Sequence, residues 1–208
     1  MLFKDRREAG EKLAARLKGL GDKVLVLAIP RGGVVVAAPV ARVLNAPLDV
    51  IIPRKVGAPI NPEVAIGAVT QDGYVLWNEE LMGRLGLNEA DMQPAVEETL
   101  QEIKRRLLFY RGDSPPPVIQ GKTVILVDDG IATGFTVKAA LRSIARQEPS
   151  WLILAVPVAP AEVIPEMAAE VDEVVCLASP EPFYAVGQFY EDFDQTTDKE
   201  VCWLLHGE

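Results

Sequence analysis

The chain has 208 residues, 49% apolar and 25% charged, which fits one globular domain that needs no disulfides and excludes intrinsic disorder. The charge is uneven: residues 1–146 carry 20 Lys/Arg against 17 Asp/Glu, a net +3, while residues 147–208 carry 1 against 13, a net −12. The overall net charge of −9 excludes a general nucleic-acid binder but admits a small anion held by a few local cations.

Residues 5–20 read as an amphipathic helix, with Ala9, Leu13, Leu17 and Leu20 on one face. Residues 24–29 are a continuous apolar run, the pattern of a parallel strand buried on both faces. Pro30-Arg31-Gly32-Gly33 breaks it, and a helix follows to about Asn45, with Pro39 expected to kink or bound it. Val50-Ile51-Ile52 is a second strand, ended by Pro53-Arg54-Lys55, and residues 56–64 read as a loop. Residues 65–70 and 74–77 form a hairpin through Asp72-Gly73. Residues 88–111 read as a helix capped by Asn88, on which Lys104, Arg105 and Arg106 form a solvated face. A proline-rich connector spans residues 112–121. A strand at 124–127 leads into the turn 128–136 and a helix to about Arg146. A strand at 152–156, a helix at 162–169 and a strand at 174–177 follow. The last stretch is aromatic, with Phe183, Tyr184, Phe189, Tyr190 and Phe193.

Alternating strands and helices predict an α/β fold with a mainly parallel central sheet flanked by helices. One domain is expected over residues 1–208, with a helical insertion at about 78–121 and a C-terminal hood at about 178–208. Ligands of such sheets bind beyond the carboxyl ends of the strands. Cys176 and Cys202 lie far apart and read as reduced thiols. The one histidine, His206, argues against a His-rich metal site or a Ser–His centre. No signal segment opens the chain and no apolar run reaches ~18 residues, so a cytoplasmic protein without membrane contact is expected.

The segment Val124-Ile125-Leu126-Val127-Asp128-Asp129-Gly130-Ile131-Ala132-Thr133-Gly134-Phe135-Thr136 carries the chemistry. A turn that feeds a helix N-terminus presents free N–H groups to an anion. Thr133 and Thr136 add hydroxyls, and Gly134 allows close approach. Two adjacent acids repel each other unless donors such as sugar hydroxyls or a metal meet them. The combination describes a phosphorylated sugar. The chain has no GxxxxGK[ST] and no GxGxxG, which excludes a P-loop or a dinucleotide fingerprint. The acid pair also lies too far along the chain for a receiver domain.

This segment resembles the PRPP-binding motif of the type I phosphoribosyltransferases, and the likeness extends over about residues 24–194. The resemblance is to bacterial members with PRGG, RKVGAP and AVGxxYxDF segments, present here at 30–33, 54–59 and 185–193. It implies that Asp128 and Asp129 bind the ribose 2′- and 3′-hydroxyls and that residues Gly130 to Thr136 hold the 5′-phosphate. It implies pyrophosphate on Arg31, Gly32, Gly33, Arg54 and Lys55, with Arg31, Arg54 and Lys55 as the catalytic cations. Mg²⁺ would bridge pyrophosphate and ribose oxygens, meeting Asp128 and Asp129 only through ribose or water. A mobile loop is expected at 56–66, with Glu63 as a candidate proton acceptor. An aromatic hood over residues 181–194 is expected to bind the acceptor through Phe183, Tyr184 and Tyr190. The implied activity is phosphoribosyl transfer from PRPP to a nitrogenous base or similar small acceptor. The alternative is a non-catalytic PRPP- or nucleotide-sensing module, and a homodimer is compatible with either. Two positions depart from the family pattern. Phe135 replaces a glycine or lysine, though its N–H still donates. Ala132 replaces the aspartate of enzymes that act on 6-oxopurines, which argues against hypoxanthine or guanine.

Overall fold

Three apolar runs, VLVLA, TVILV and WLILAVPV, have no polar face to offer water, and they lie side by side at the centre of the molecule. The computed structural model describes residues 2–59, 61 and 64–207. In chain order the first elements are α1 (Arg6–Arg16), β1 (Val24–Ala28), α2 (Gly32–Leu44), β2 (Leu48–Val50), β3 (Arg54–Gly57), β4 (Ala65–Val69) and β5 (Val75–Trp77). Then come α3 (Glu79–Leu85), α4 (Glu89–Arg111), β6 (Thr123–Val127), α5 (Phe135–Ala145), β7 (Trp151–Val158), α6 (Ile164–Ala168), β8 (Glu173–Ala178) and α7 (Asp198–His206). A short 3-10 turn at Val186–Phe189 precedes α7.

The central sheet has the order β2-β1-β6-β7-β8, with every neighbouring pair parallel. This is the expected α/β class. The strand pleat sorts the core into two layers. Val26, Ala28, Ile125, Val127 and Ile153 face α1, α2, α4 and α7. Leu25, Leu27, Leu126, Leu152 and Leu154 face α5 and α6. Among the described residues, no helix is long and apolar enough to cross a membrane.

Several elements differ from the sequence expectation. Residues 54–57 form a strand, so the loop expected at 56–64 does not start at Val56, which is fully buried, and Arg54 lies opposite Val69. β3, β4 and β5 make a separate antiparallel sheet. Its hairpin runs through Asp72-Gly73 as expected, closed by Thr70 N–H to the Tyr74 carbonyl at 3.0 Å. The stretch after β5 holds a helix of its own, α3, which Asn78 caps by accepting from Leu81 N–H. Residues 198–206, at the end of the expected hood, are helical. They form α7, capped by Thr197, with Val201 buried in the same core layer as α2 and α4. Pro39 does not end α2, which runs through it. There α1 crosses closely: a Cβ on Gly10 would lie 2.3 Å from the Val36 carbonyl oxygen.

Candidate functional site

β1 and β6 are neighbours, yet their chain neighbours run to opposite sides of the sheet. That is the switch point at which open parallel sheets form a crevice beyond their carboxyl ends. The register ends on Ala28 opposite Val127, so Arg31-Gly32-Gly33 and Asp128-Asp129 leave the sheet side by side. Ile29 N–H donates to the Val127 carbonyl at 3.0 Å and continues the ladder into the crevice. The glycines make the approach possible. A Cβ on Gly33 would stand 3.0 Å from Asp128 Cα, and one on Gly32 would stand 1.9 Å from Asp129 Oδ2.

The acid pair is half enclosed. Asp129 N–H donates to Asp128 Oδ1 at 2.8 Å. Burial pushes the Asp128 carboxyl well above the usual carboxylate range, and the Asp129 charge adds to this. Burial also raises Asp129, but Arg6 opposes the shift. Arg6 Nε donates to Asp129 Oδ2 at 2.7 Å. Its Nη1 donates to the Asp194 carbonyl at 2.8 Å, and its guanidinium lies 3.7 Å above the Phe193 ring. Arg6 is not among the residues that the sequence singles out. One signal points to it: Arg6 opens a helix, where the macrodipole disfavours a cation unless an acid faces it.

Residues 130–136 form the turn. Ile131 is buried, and its N–H donates to the Val158 carbonyl at 2.9 Å, tying the turn to β7. Gly134 has φ 74° and stands at the N-cap of α5 without a side-chain cap. The first N–H groups of α5 are therefore open to an anion. Ala132 and Thr133 are exposed, while Phe135 and Thr136 are half-buried. Phe135 has a packing role at its position: it lies against the cluster of Ala68, Leu76 and Ala139.

The remaining cations lie further out. Arg31 is the N-cap of α2, with Nη1 3.9 Å from Asp198 Oδ1. Arg54 and Lys55 do not end a core strand; they open β3 in the second sheet. Arg54 Nη1 lies 3.7 Å from Glu102 Oε1, and Lys55 is exposed.

A family model for the phosphoribosyl transferase domain matches residues 4–194. The chain belongs to that family. A Mycobacterium tuberculosis protein named "putative phosphoribosyl transferase" is 44% identical over 205 residues, which is 98% of this chain and 46% of the relative. The chain thus spans about half the length of the curated relatives it matches. The crystal structure of TT1426 from Thermus thermophilus is 41% identical and superposes with a TM-score of 0.84, covering 99% of this chain and 98% of that one. A Neisseria gonorrhoeae protein solved with bound ppGpp shares the fold at 16% identity, with a TM-score of 0.52 and coverage of 100% and 98%.

In this phosphoribosyltransferase domain the C-terminal aromatics divide by position. Tyr184 is 83% exposed. Phe183 packs on Phe189 with ring centroids 4.8 Å apart. Tyr190 is only 2% exposed, with its ring between Phe3 and Phe193. Its hydroxyl donates to the Asp129 carbonyl at 2.6 Å. Tyr190 is therefore placed as a brace for the acid pair rather than as an open stacking surface. Removing that hydroxyl in Tyr190→Phe is expected to cost about 1 kcal/mol and to lower the melting temperature by roughly 2–4 °C. A thermal melt checks this, and an unchanged midpoint would rule the brace out. Glu63, the candidate proton acceptor, lies outside the described residues.

Proposed function

We propose that the chain binds PRPP with Mg²⁺ and transfers the phosphoribosyl group to a nitrogenous base or similar small acceptor, releasing pyrophosphate. The observation that carries this reading is the contact between the PRGG turn and the acid pair at the switch point, beside the uncapped start of α5. A phosphate on α5, a diol on Asp128 and Asp129 and a pyrophosphate on Arg31 and Gly32 would meet in one crevice. The C1′–oxygen bond to pyrophosphate breaks as the bond from C1′ to the acceptor nitrogen forms. Pyrophosphate leaves with the electron pair, and the acceptor gives up a proton. The transition state carries positive charge on the ribose ring, which the two carboxylates would stabilise. The protein otherwise positions the reactants and excludes water.

Among the described residues, no group of three His, Cys, Asp or Glu side chains stands ready to hold a metal ion. Asp128 and Asp129 fit an indirect role, since a divalent charge nearby would relieve their repulsion. Bound Mg²⁺ would neutralise the pyrophosphate as it leaves. Ala132, which the resemblance sets against 6-oxopurines, directs the search to other acceptors. The free thiols of Cys176 and Cys202 suit a reducing compartment, in line with a cytoplasmic location.

Binding of PRPP with Mg²⁺, followed by calorimetry, is expected in the wild type and absent in the double variant Asp128→Asn/Asp129→Asn. Undiminished binding by that variant would overturn the site. A panel of bases with PRPP and Mg²⁺, followed by pyrophosphate release, tests the transfer. PRPP binding with no release from any base would replace the transferase by the non-catalytic sensor.

A further inference from the structure

The basic run on α4 reads from sequence as a solvated face, but the structure gives Arg106 a different setting. Glu102, Arg106 and Tyr110 are four residues apart and form one stripe along the helix. At 1.5 Å per residue the stripe is about 12 Å long. Each end reaches a segment expected to hold pyrophosphate. At one end Glu102 Oε1 lies 3.7 Å from Arg54 Nη1 and accepts from Arg106 Nε at 2.9 Å. At the other end the Tyr110 hydroxyl donates to Asp198 Oδ1, the same oxygen that lies 3.9 Å from Arg31 Nη1. Arg106 stands between them, one helical turn from each.

The charges around this stripe do not balance. Arg54, Arg105 and Arg106 share Glu102, and Arg31 faces Asp198. Among the described residues, four guanidiniums thus meet two carboxylates. Hydrogen bonds from Arg105 and Arg106 hold the Glu102 carboxyl down to about 2, so it is ionised at neutral pH and the cationic excess is not hidden by a shared proton. Within a chain of net charge −9, such a local cationic excess is a place where an anion would be attracted. Arg105 is distinct from Arg106: its side chain is 73% exposed, against 29% for Arg106.

We infer that α4 contributes Arg106 as a third guanidinium of the pyrophosphate site, between Arg31 and Arg54. Glu102 and Asp198 hold the three apart in the absence of the anion. Guanidinium forks suit phosphate oxygens, which they contact in pairs. The inference rests on the proposed function, because that reading places pyrophosphate on Arg31 and Gly32.

The probe is inorganic pyrophosphate with Mg²⁺, titrated calorimetrically into the whole chain. Arg106→Gln is expected to weaken pyrophosphate binding about ten-fold, and Arg106→Lys to restore part of it. Arg105→Gln should stay within about two-fold of the wild type. Ribose 5-phosphate, which lacks the pyrophosphate, should bind Arg106→Gln as it binds the wild type. A parallel loss of ribose 5-phosphate would mean that Arg106 only supports the fold, and would overturn the assignment. Unchanged pyrophosphate binding by Arg106→Gln would also overturn it, while PRPP binding through Asp128 and Asp129 would leave the proposed function standing. If the wild type binds neither PRPP nor pyrophosphate, both readings fall.

Discussion

Asp128→Asn is expected to unfold roughly 2–8 °C above the wild type at pH 7 and to bind PRPP at least ten-fold more weakly. The two effects share one cause. Burial and the adjacent Asp129 charge both work against ionising Asp128 in the folded chain. An asparagine removes that charge and keeps the acceptor oxygen used by Asp129 N–H. Relief of a partly enclosed like-charge pair is worth about 1–2 kcal/mol. The same charge would be needed by a diol, since one charge-assisted hydrogen bond contributes roughly 1.5–3 kcal/mol.

The pH dependence has a definite sign. Below the ordinary Asp pKa of about 3.9, the stability supplied by the protonated pair is fully present. As pH rises, the unfolded chain releases its protons first while the folded chain retains them, and stability falls until the folded pair has ionised. The melting curves of wild type and Asp128→Asn should therefore converge towards pH 3 and separate as pH rises. Asp129→Asn should gain less, because Arg6 at 2.7 Å already offsets part of the cost at that position. Thermal melts from pH 3 to 8 measure all three proteins. An Asp128→Asn variant that melts below the wild type at pH 7, or gains less than Asp129→Asn, would contradict this account.

The core strands are legible because burial on both faces leaves no polar alternation, and β1, β6 and β7 announce themselves as unbroken apolar runs. The acid pair and the turn after it are legible because strand, acids, small residues and helix follow one another in the chain. Arg6 is not, because its partner lies 123 residues away and only the crossing of α1 over α2 brings it there. β3 escapes for a related reason. Residues 54–57 contain two cations and a glycine, and they become a strand only by pairing with β4 and burying Val56. α7 is hidden by the acidic, aromatic stretch before it, although Thr197 and the apolar Val201, Leu204 and Leu205 mark a cap and a face. Tyr190 shows the limit of reading composition. Its place in an aromatic cluster suggests stacking on a ligand, and tertiary packing instead turns its hydroxyl onto the Asp129 carbonyl.

Gly32→Ala is the second substitution with a large expected effect, and it separates packing from helix propensity. Gly32 is the first residue of α2, so alanine alone would favour the helix by up to about 1 kcal/mol. The added methyl would, however, sit 1.9 Å from Asp129 Oδ2, 2.6 Å from Arg6 Nε and 2.8 Å from Asp129 Cγ. Those atoms cannot yield separately, because Arg6 is held by Asp129, by the Asp194 carbonyl and by the Phe193 ring. The expected cost is roughly 1–3 kcal/mol of overpacking, with PRPP binding reduced at least ten-fold as the carboxylate is displaced. Two further alanines calibrate the result. Gly83→Ala has open space within 4 Å and lies in α3, so it should gain about 0.5–1 kcal/mol with binding unchanged. Gly10→Ala meets a backbone oxygen at 2.3 Å, so it should lose stability through the α1–α2 crossing. Melting temperature and PRPP affinity are measured for each. A Gly32→Ala variant that matches Gly83→Ala in both would mean that the PRGG turn does not press on the acid pair, and that the crevice is built differently.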